Sequence, residues 1–576
     1  MRIESRLQAG QRSGLAWQRF AAAASTVIGL AFATPSNGAA SKPAAAEPSK
    51  PAAETQSTSP QAAPRSTAPV QRFDIDEFRI DGADHLPQIE VEEAIYPFLG
   101  PDRTADDVDK ARAALEKSYH DKGYQTVSVS VPAQNVASRL VVLKVTEGKV
   151  GQLRVKNSRY FDLARIKDKA PSLREGALPN FNDVTKDIVA LNQWPDRRVT
   201  PALRAGVAPG TVDVDLNVED KPPLHGSVEL NNRQSPNTTA KRLNATVRYD
   251  NLWQLGHSLS LSYQVAPERR SDAQVFSGSY LWRLTDWTSL LFYGTDSKSD
   301  VATIGGVNVI GPGQTVGGRV VLTLPTLENF FHTLSFGLDY KNYGQTVKLG
   351  ADSFSTPITY YPFVASYGAT WQGEGALTQF NAGVTFNLRG AGSGFEEFWN
   401  KRAFADNNFF HVNAELSHTQ DLPQGFQLFG RVKAQIADGP LVSSEQFSVG
   451  GVDTVRGYLE SETLGDNGVV GTVEMRSPDI GAWFQSQVKG EGGQAPSFTT
   501  FNEWRVFAFI DIGQTDIRLP LEEQQSRFDL WSYGVGTRFK FFNHVNGMVT
   551  LAVPMNTQAS TRANDPRVLF SVAGEF

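Results

Sequence analysis

No cysteine occurs among the 576 residues. Disulfides, thiolate metal sites and a cysteine nucleophile are therefore excluded. The chain also lacks an apolar run long enough to cross a bilayer as a helix. A place in a membrane would then require a closed sheet, because only helices and barrels satisfy every backbone polar group in lipid. Charge of one sign is not in excess: 55 Lys and Arg stand against 61 Asp and Glu, a net charge of -6, which gives no support for nucleic-acid binding. Catalytic signatures are missing as well, with no His-Glu-x-x-His, no Gly-x-Ser-x-Gly and no phosphate loop ending in Gly-Lys-Ser/Thr. Gly311-Pro312-Gly313 with Gly317-Gly318 is glycine-rich, but its proline and the absence of a following helical pattern make it a hairpin or loop. His411 and His418 are seven apart, on opposite faces of a strand, and so share no metal. No catalytic triad, metal set or cofactor motif emerges, so the chain reads as a non-enzyme without cofactors.

What is present begins with an export signal. Arg2, Arg6, Arg12 and Arg19 form a basic region, Phe20 to Ala33 an apolar segment of signal-peptide length, and small residues follow at Ser36 to Ala40. Residues 1–40 are assigned to the signal, with cleavage near Ala33 or Ala40. Residues 41–72 are mostly Pro, Ala, Ser and Thr, too poor in large apolar side chains to offset their ordering entropy, and read as a disordered linker.

An internal repeat follows. Phe78-Arg79-Ile80-Asp81-Gly82 reads as a short strand. Thr104 to His120 reads as a helix, with Thr104 and Asp107 as a capping box, an apolar stripe of Val108, Ala111, Leu115 and Tyr119, and Gly123 as its stop. Strands are expected at 126–131 and 140–147. The order recurs: a strand at 153–155, a helix capped at Asn182 through Val184, Ile188 and Leu191, then strands at 199–203 and 212–219. Glu147 and Glu219, at the two repeat ends, are 72 residues apart. Two copies of a β-α-α-β-β unit, at 73–147 and 148–220, are the simplest account, each a sheet covered by helices. The pattern resembles tandem polypeptide-transport-associated (POTRA) domains, and Ala202-Leu203-Arg204-Ala205-Gly206 with Pro209-Gly210-Thr211 looks like the end of the second one.

From residue 221 to 576 the period changes to two. Leu259, Leu261, Tyr263 and Val265 share one face, Ser258, Ser260, Ser262 and Gln264 the other. Leu334, Phe336, Leu338 and Tyr340 likewise oppose Thr333, Ser335, Gly337 and Asp339, and the same alternation sets Glu415, Arg431 and Lys433 against apolar faces. Sustained alternation with aromatics near strand ends is expected of a transmembrane barrel with a polar lumen. At about 10 residues per crossing strand, and as many again in connections, the region holds about 16 antiparallel strands. Val568, Phe570, Val572 and Phe576 alternate up to the end of the sequence. A terminal Phe on such a strand resembles the signal that barrel-assembly machinery recognises. Asp250 and Asn251, in Tyr249-Asp250-Asn251-Leu252, supply turn chemistry at an early strand junction.

Two motifs carry the functional reading. Phe509-Ile510-Asp511-Ile512-Gly513 puts the isoleucines on one face of a strand and Asp511 with Phe509 and Gly513 on the other, so Asp511 faces the lumen if the isoleucines face lipid. Gly450-Gly451-Val452-Asp453-Thr454-Val455-Arg456-Gly457-Tyr458, followed by Gly465-Asp466-Asn467-Gly468, presents Arg456 on a loop where Gly457 permits a tight turn and Gly450, Gly451 and Gly465 are hinge points. A charge-assisted, bidentate pair between Arg456 and Asp511 would hold that loop inside the barrel. Together these features resemble the two-partner secretion transporters, the haemolysin secretion/activation family. The resemblance implies an all-β outer-membrane barrel preceded by two periplasmic POTRA-like domains, with Val455, Arg456, Gly457 and Tyr458 meeting Asp511 and Gly513 in the lumen. It also implies a large, unfolded secreted exoprotein as client, with outer-membrane lipid and the barrel-assembly machinery as further partners. A barrel-assembly factor of the same superfamily would share both motifs but usually carries more periplasmic repeats. A passive porin would lack the repeats, and an adhesive barrel would not need the Arg456 loop. Many family members carry an N-terminal plug helix, whereas 41–70 shows no convincing amphipathic helix.

Overall fold

The computed structural model describes residues 72–576 except 136–137, 300, 305–306, 311, 326, 328, 350–351 and 482–500. The expected signal, nearly all of the linker and the region of a plug helix lie outside the described residues. The chain divides into two compact units, Met1–Asp220 and Lys221–Phe576.

The first unit contains two modules built alike. In the first, the parallel pair Glu77–Asp81 and Leu140–Glu147 is extended by antiparallel Val127–Ser130. Helices Gln88–Ile95 and Ala105–Asp121 supply its second layer. The longer helix starts at a full capping box between Thr104 and Asp107 and buries Val108, Ala111, Leu115 and Tyr119, one residue per turn, on the sheet. The second module repeats the arrangement with Lys149–Lys156, Thr211–Asp220 and Arg197–Ala205, covered by Leu163–Asp168 and Phe181–Leu191. One expectation is corrected here. The cap of Phe181–Leu191 is Asn180, whose side chain accepts from the Asn182 amide (3.0 Å), not Asn182 itself. The reason is tertiary: the Asn180 side chain donates to the Lys122 carbonyl (3.0 Å) and the Phe181 amide to that of Gly123 (2.9 Å), so the helix begins where the preceding module's helix ends.

The second unit is a closed barrel. Its wall runs from Leu224–Asn231 to Arg567–Glu575, which pair with one another to close it. Asp352–Tyr360 and Phe363–Gly373 are one wall strand interrupted at Tyr361-Pro362, because both continue a single register along Phe330–Leu349. Counted so, sixteen antiparallel strands form the wall among the described residues. The period of two decides which side chains meet lipid. On Phe501–Asp516, Ile510 and Ile512 point outward and are exposed, whereas Phe507, Phe509 and Asp511 are buried inside. Short turns gather at one rim, where Trp253, Trp287, Phe331, Trp371 and Phe542 are exposed as an aromatic girdle. Most of the long connections lie at the other. Gly313–Thr323 is a wall strand, so Gly317 and Gly318 do not lie in a hairpin or loop. Gly317 belongs there sterically, since a Cβ would lie 2.3 Å from Asp339 and 2.4 Å from Tyr293, which hydrogen-bond to each other in the lumen (2.5 Å).

Glu147 closes the first module. Its carboxylate accepts from the amides of Asp84 and His85 (both 3.0 Å) and from His85 Nδ1 (2.6 Å). Burial alone would raise its pKa, but the His85 ring and the two amides outweigh that and hold it below the ordinary glutamate range. A lowered folded pKa contributes stability above the unfolded value and loses it as pH falls through the folded one. Residues 73–220 expressed alone are expected to melt cooperatively with a mixed helix and strand signal. Glu147→Gln should cost that fragment about 1–3 kcal/mol at neutral pH. The difference should shrink as the pH falls below the ordinary glutamate range, about 4, and vanish only below the lowered folded pKa. Chemical denaturation followed by circular dichroism across that range checks both.

Candidate functional site

The connection between wall strands Gln427–Ala437 and Asn467–Arg476 folds back into the lumen. It rises as a short hairpin, Phe447–Val449 against Thr463–Gly465, and turns at Gly450 and Gly451, which have φ of 114° and 104°. Gly465 lies in the hairpin strand and shows no hinge geometry; a Cβ there would lie 2.7 Å from Thr515. Beyond the turn, Val455 and Tyr458 pack with Val449, Val470 and Leu530, the last two from the barrel wall. Gly457, with φ of 92°, reverses the chain so that Arg456 points at one wall strand and Tyr458 at the next.

Arg456 is 5 % exposed and all three of its guanidinium nitrogens donate to carboxylates. Nε donates to Asp511 Oδ2 (2.7 Å) and Nη2 to Oδ1 (2.9 Å), the bidentate fork that only arginine can supply. The Arg456 amide adds a third bond to Asp511 Oδ2 (3.1 Å). Nη1 donates to Glu474 Oε2 (2.7 Å) on the neighbouring strand. The guanidinium carbon lies 3.5 Å from the ring centre of Phe509, a cation–π contact in a dehydrated place. Glu474 also accepts from Arg476 Nε (2.9 Å) and pairs with Arg538 Nη2 (3.0 Å), and Arg538 stacks on Phe507. Three arginines thus share two carboxylates that are 0 % and 1 % exposed. Arg456 is the central cation, since it alone of the three reaches both anions.

Gly513 stands two residues from Asp511 on the same face, and a Cβ there would lie 2.7 and 2.8 Å from Val449 and Val455. That glycine clears the space in which the loop rests. Tyr458 donates its hydroxyl to the Asn556 carbonyl (2.9 Å) and accepts from the Asn556 amide (3.0 Å). The structure therefore brings Val455, Arg456, Gly457, Tyr458, Asp511 and Gly513 together. Phe576 is separate from them: it is exposed at the short-turn rim, its amide and carbonyl are paired with Gly226 (2.9 and 3.0 Å), and its ring lies over that glycine.

Sequence reasoning missed Glu474. The available signal was its alternation with Val470 and Thr472, which puts it on the lumen face of Asn467–Arg476. It also left Asp466 without a role, although Asp466 is fully buried. His411 and His418 do not meet: the first faces Glu445 (3.2 Å), the second Thr378 (2.8 Å). Asp250 and Asn251 act locally, as expected, with Asp250 accepting from Arg248 (2.7 Å) and Asn251 donating to Gln254 (2.9 Å).

Two protein families match this chain. The family described as haemolysin secretion/activation protein ShlB/FhaC/HecB matches residues 210–539, and the POTRA domain of ShlB type matches residues 73–148. The heme/hemopexin transporter protein HuxB of Haemophilus influenzae is 22% identical over 380 residues, covering 64% of this chain and 66% of that protein. The match thus spans about two thirds of that relative's length. The outer membrane transporter CdiB of Dickeya dadantii is 22% identical over 403 residues, covering 69% of this chain and 71% of the relative. Among solved structures, CdiB from Escherichia coli superposes with a TM-score of 0.61 at 19% identity over 90% of this chain and 93% of that one. BamA from Haemophilus ducreyi lacking POTRA domains 1–3 gives 0.50 at 14% identity, covering 88% of this chain and 100% of that one. These two likenesses concern the fold. With the family match spanning more than half of its length, the chain belongs to the haemolysin secretion/activation protein family ShlB/FhaC/HecB, the two-partner secretion transporters, as an outer-membrane β-barrel with periplasmic N-terminal POTRA domains.

Proposed function

We propose that this transporter recognises an unfolded exoprotein in the periplasm and exports it through the barrel lumen, with the loop carrying Arg456 held on Asp511 and Glu474 in the resting state. The observation that carries the reading is the buried Arg456 node inside the lumen of a family member. A polar lumen suits passage of an extended polypeptide, whose backbone needs hydrogen-bonding partners throughout. The periplasmic modules offer a place for capture by strand addition. Arg197–Ala205 is an outer strand of its sheet, with the Val199 backbone groups taken by the Asn192 side chain and Leu203 exposed farther along. Client folding outside the cell would give the process direction. No enzymatic step is needed for this role. Assembly of the barrel itself would use the terminal strand and Phe576, and a barrel-assembly role would instead impair other outer-membrane proteins when disturbed.

Two experiments test the reading. Deleting residues 73–147 should abolish secretion of the client while the barrel still reaches the outer membrane, as judged by heat-modifiable mobility. Unchanged export would remove the first module from the mechanism. At the node, Arg456→Ala and Asp511→Ala should each impair export with little loss of barrel. Removing one partner of a buried pair costs roughly 3–5 kcal/mol, against about 0–1 kcal/mol at an exposed site. The double substitution should be less than additive, because it removes a charge already stranded. Export assays on the three variants, with protease access to the loop as a second readout, decide the matter. Wild-type behaviour in all of them would overturn the proposed role of the node.

A further inference from the structure

Two carboxylates in the lumen loop take no part in the Arg456 node yet are buried as deeply. Glu445 Oε1 accepts from Lys341 Nζ and from the Tyr360 hydroxyl (both 2.6 Å), and Oε2 lies 3.2 Å from His411 Nε2. The three partners stand on three different wall strands, Phe330–Leu349, Asp352–Tyr360 and Phe410–Asp421. Gln435, from a fourth, donates to the Glu445 carbonyl (2.9 Å). One turn of the loop is therefore fastened to a broad arc of the wall.

Asp466, at 0 % exposure, makes the second attachment. Arg402 grips both of its oxygens, Nη1 on Oδ1 and Nη2 on Oδ2 (2.7 Å), while the amides of Leu441 (2.8 Å) and Arg518 (2.7 Å) and the Gln446 side chain (3.2 Å) also donate to it. Arg402 comes from a different loop, the connection between Ala376–Phe386 and Phe410–Asp421, and directly follows helix Phe395–Lys401. That helix has seven residues, a Gly N-cap and no side-chain capping bond, so little of its own structure sustains it. Phe398 secures it, fully buried against Tyr360 and Phe409 with ring centres 5.5 and 6.3 Å apart. Its Phe395 and Trp399 are exposed.

We infer that the Arg402–Asp466 pair is the outer closure of the lumen. It ties the end of helix Phe395–Lys401 to the root of the lumen loop, and passage of a chain between that helix and the loop root requires it to part. The inference rests on reading the lumen as the export path. Two differences make this pair, rather than Arg456, the point of release. Arg456 binds two carboxylates and an aromatic face, whereas Arg402 binds one carboxylate and backbone carbonyls. The Arg402 side chain is also 16% exposed, against 6% for Arg456, so water already reaches it. Parting it releases the C-terminal end of the helix from the root of the loop, while Phe398 stays packed on Tyr360 and Phe409 and the loop tip stays on Asp511.

The test uses the full-length protein reconstituted in planar bilayers, with client export measured in cells in parallel. Asp466→Asn, which preserves shape, and Arg402→Gln, which leaves a shorter polar side chain, should each raise the open-state population by roughly tenfold, the scale of one hydrogen bond to a charged group. Heat-modifiable mobility should remain that of the wild type. The double variant R402L/D466L leaves no stranded charge and so assembles even where a single variant does not. It should show the same rise in conductance. Wild-type conductance in the double variant overturns the closure. Raised conductance in a barrel that exports no client, even when unmodified, instead overturns the export reading and leaves the closure standing.

Discussion

Backbone amides and carbonyls have no partner in hydrocarbon, and this constraint orders the whole of the second unit. A sheet in lipid must close, so the last strand pairs with the first: Ser571 to Glu575 lie opposite Asn231 to Ser227. The seam is short, five residue pairs, and Phe576 extends it by exchanging two backbone bonds with Gly226. Gly226 has no side chain to obstruct the terminal ring, since a Cβ would lie 2.1 Å from it. Closure also sorts every strand into a lipid face and a lumen face, and the lumen face receives the polar residues.

A polar lumen is where a second chain segment can be held by charge. The loop between Gln427–Ala437 and Asn467–Arg476 is held by ion pairs to two regions of the wall and to one neighbouring connection. Arg456 reaches Asp511 and Glu474, Glu445 reaches Lys341, and Asp453 pairs with Arg233 (2.8 Å) on the first long connection. Buried ion pairs contribute modestly to net stability because desolvation opposes the Coulomb gain, but each fixes a position closely. Such contacts suit a segment that must occupy one resting place and still be able to leave it. Apolar packing of Val449, Val455 and Tyr458 beside Gly513 supplies the fit around them.

Much of this was legible in the sequence, for identifiable reasons. The capping box at Thr104 and Asp107 and the stripe of Val108, Ala111, Leu115 and Tyr119 are local patterns, and the helix forms where they put it. The alternation around Ile510, Asp511 and Ile512 determines sidedness, because a slip of one residue would turn Asp511 into lipid. Asn180 was misplaced by two residues because two asparagines flank Phe181, and the choice between them is made by the Lys122 and Gly123 carbonyls of the preceding module. Gly313 to Gly318 resemble a turn in composition, yet they lie in the wall, where Gly317 makes room for Tyr293 and Asp339 on neighbouring strands.

The periodicities, the repeat and the sidedness of the wall could be read from spacing within short windows, and the pairing of Arg456 with Asp511, 55 residues apart, came from the family resemblance of their two motifs. It took the folded barrel to show that Glu474 joins the pair, that Asp466 belongs to Arg402 and Glu445 to Lys341. Those partners are 18, 64 and 104 residues apart along the chain. Closing the sheet brings distant strands to the same depth of the lumen, and no local pattern encodes which buried charges then meet.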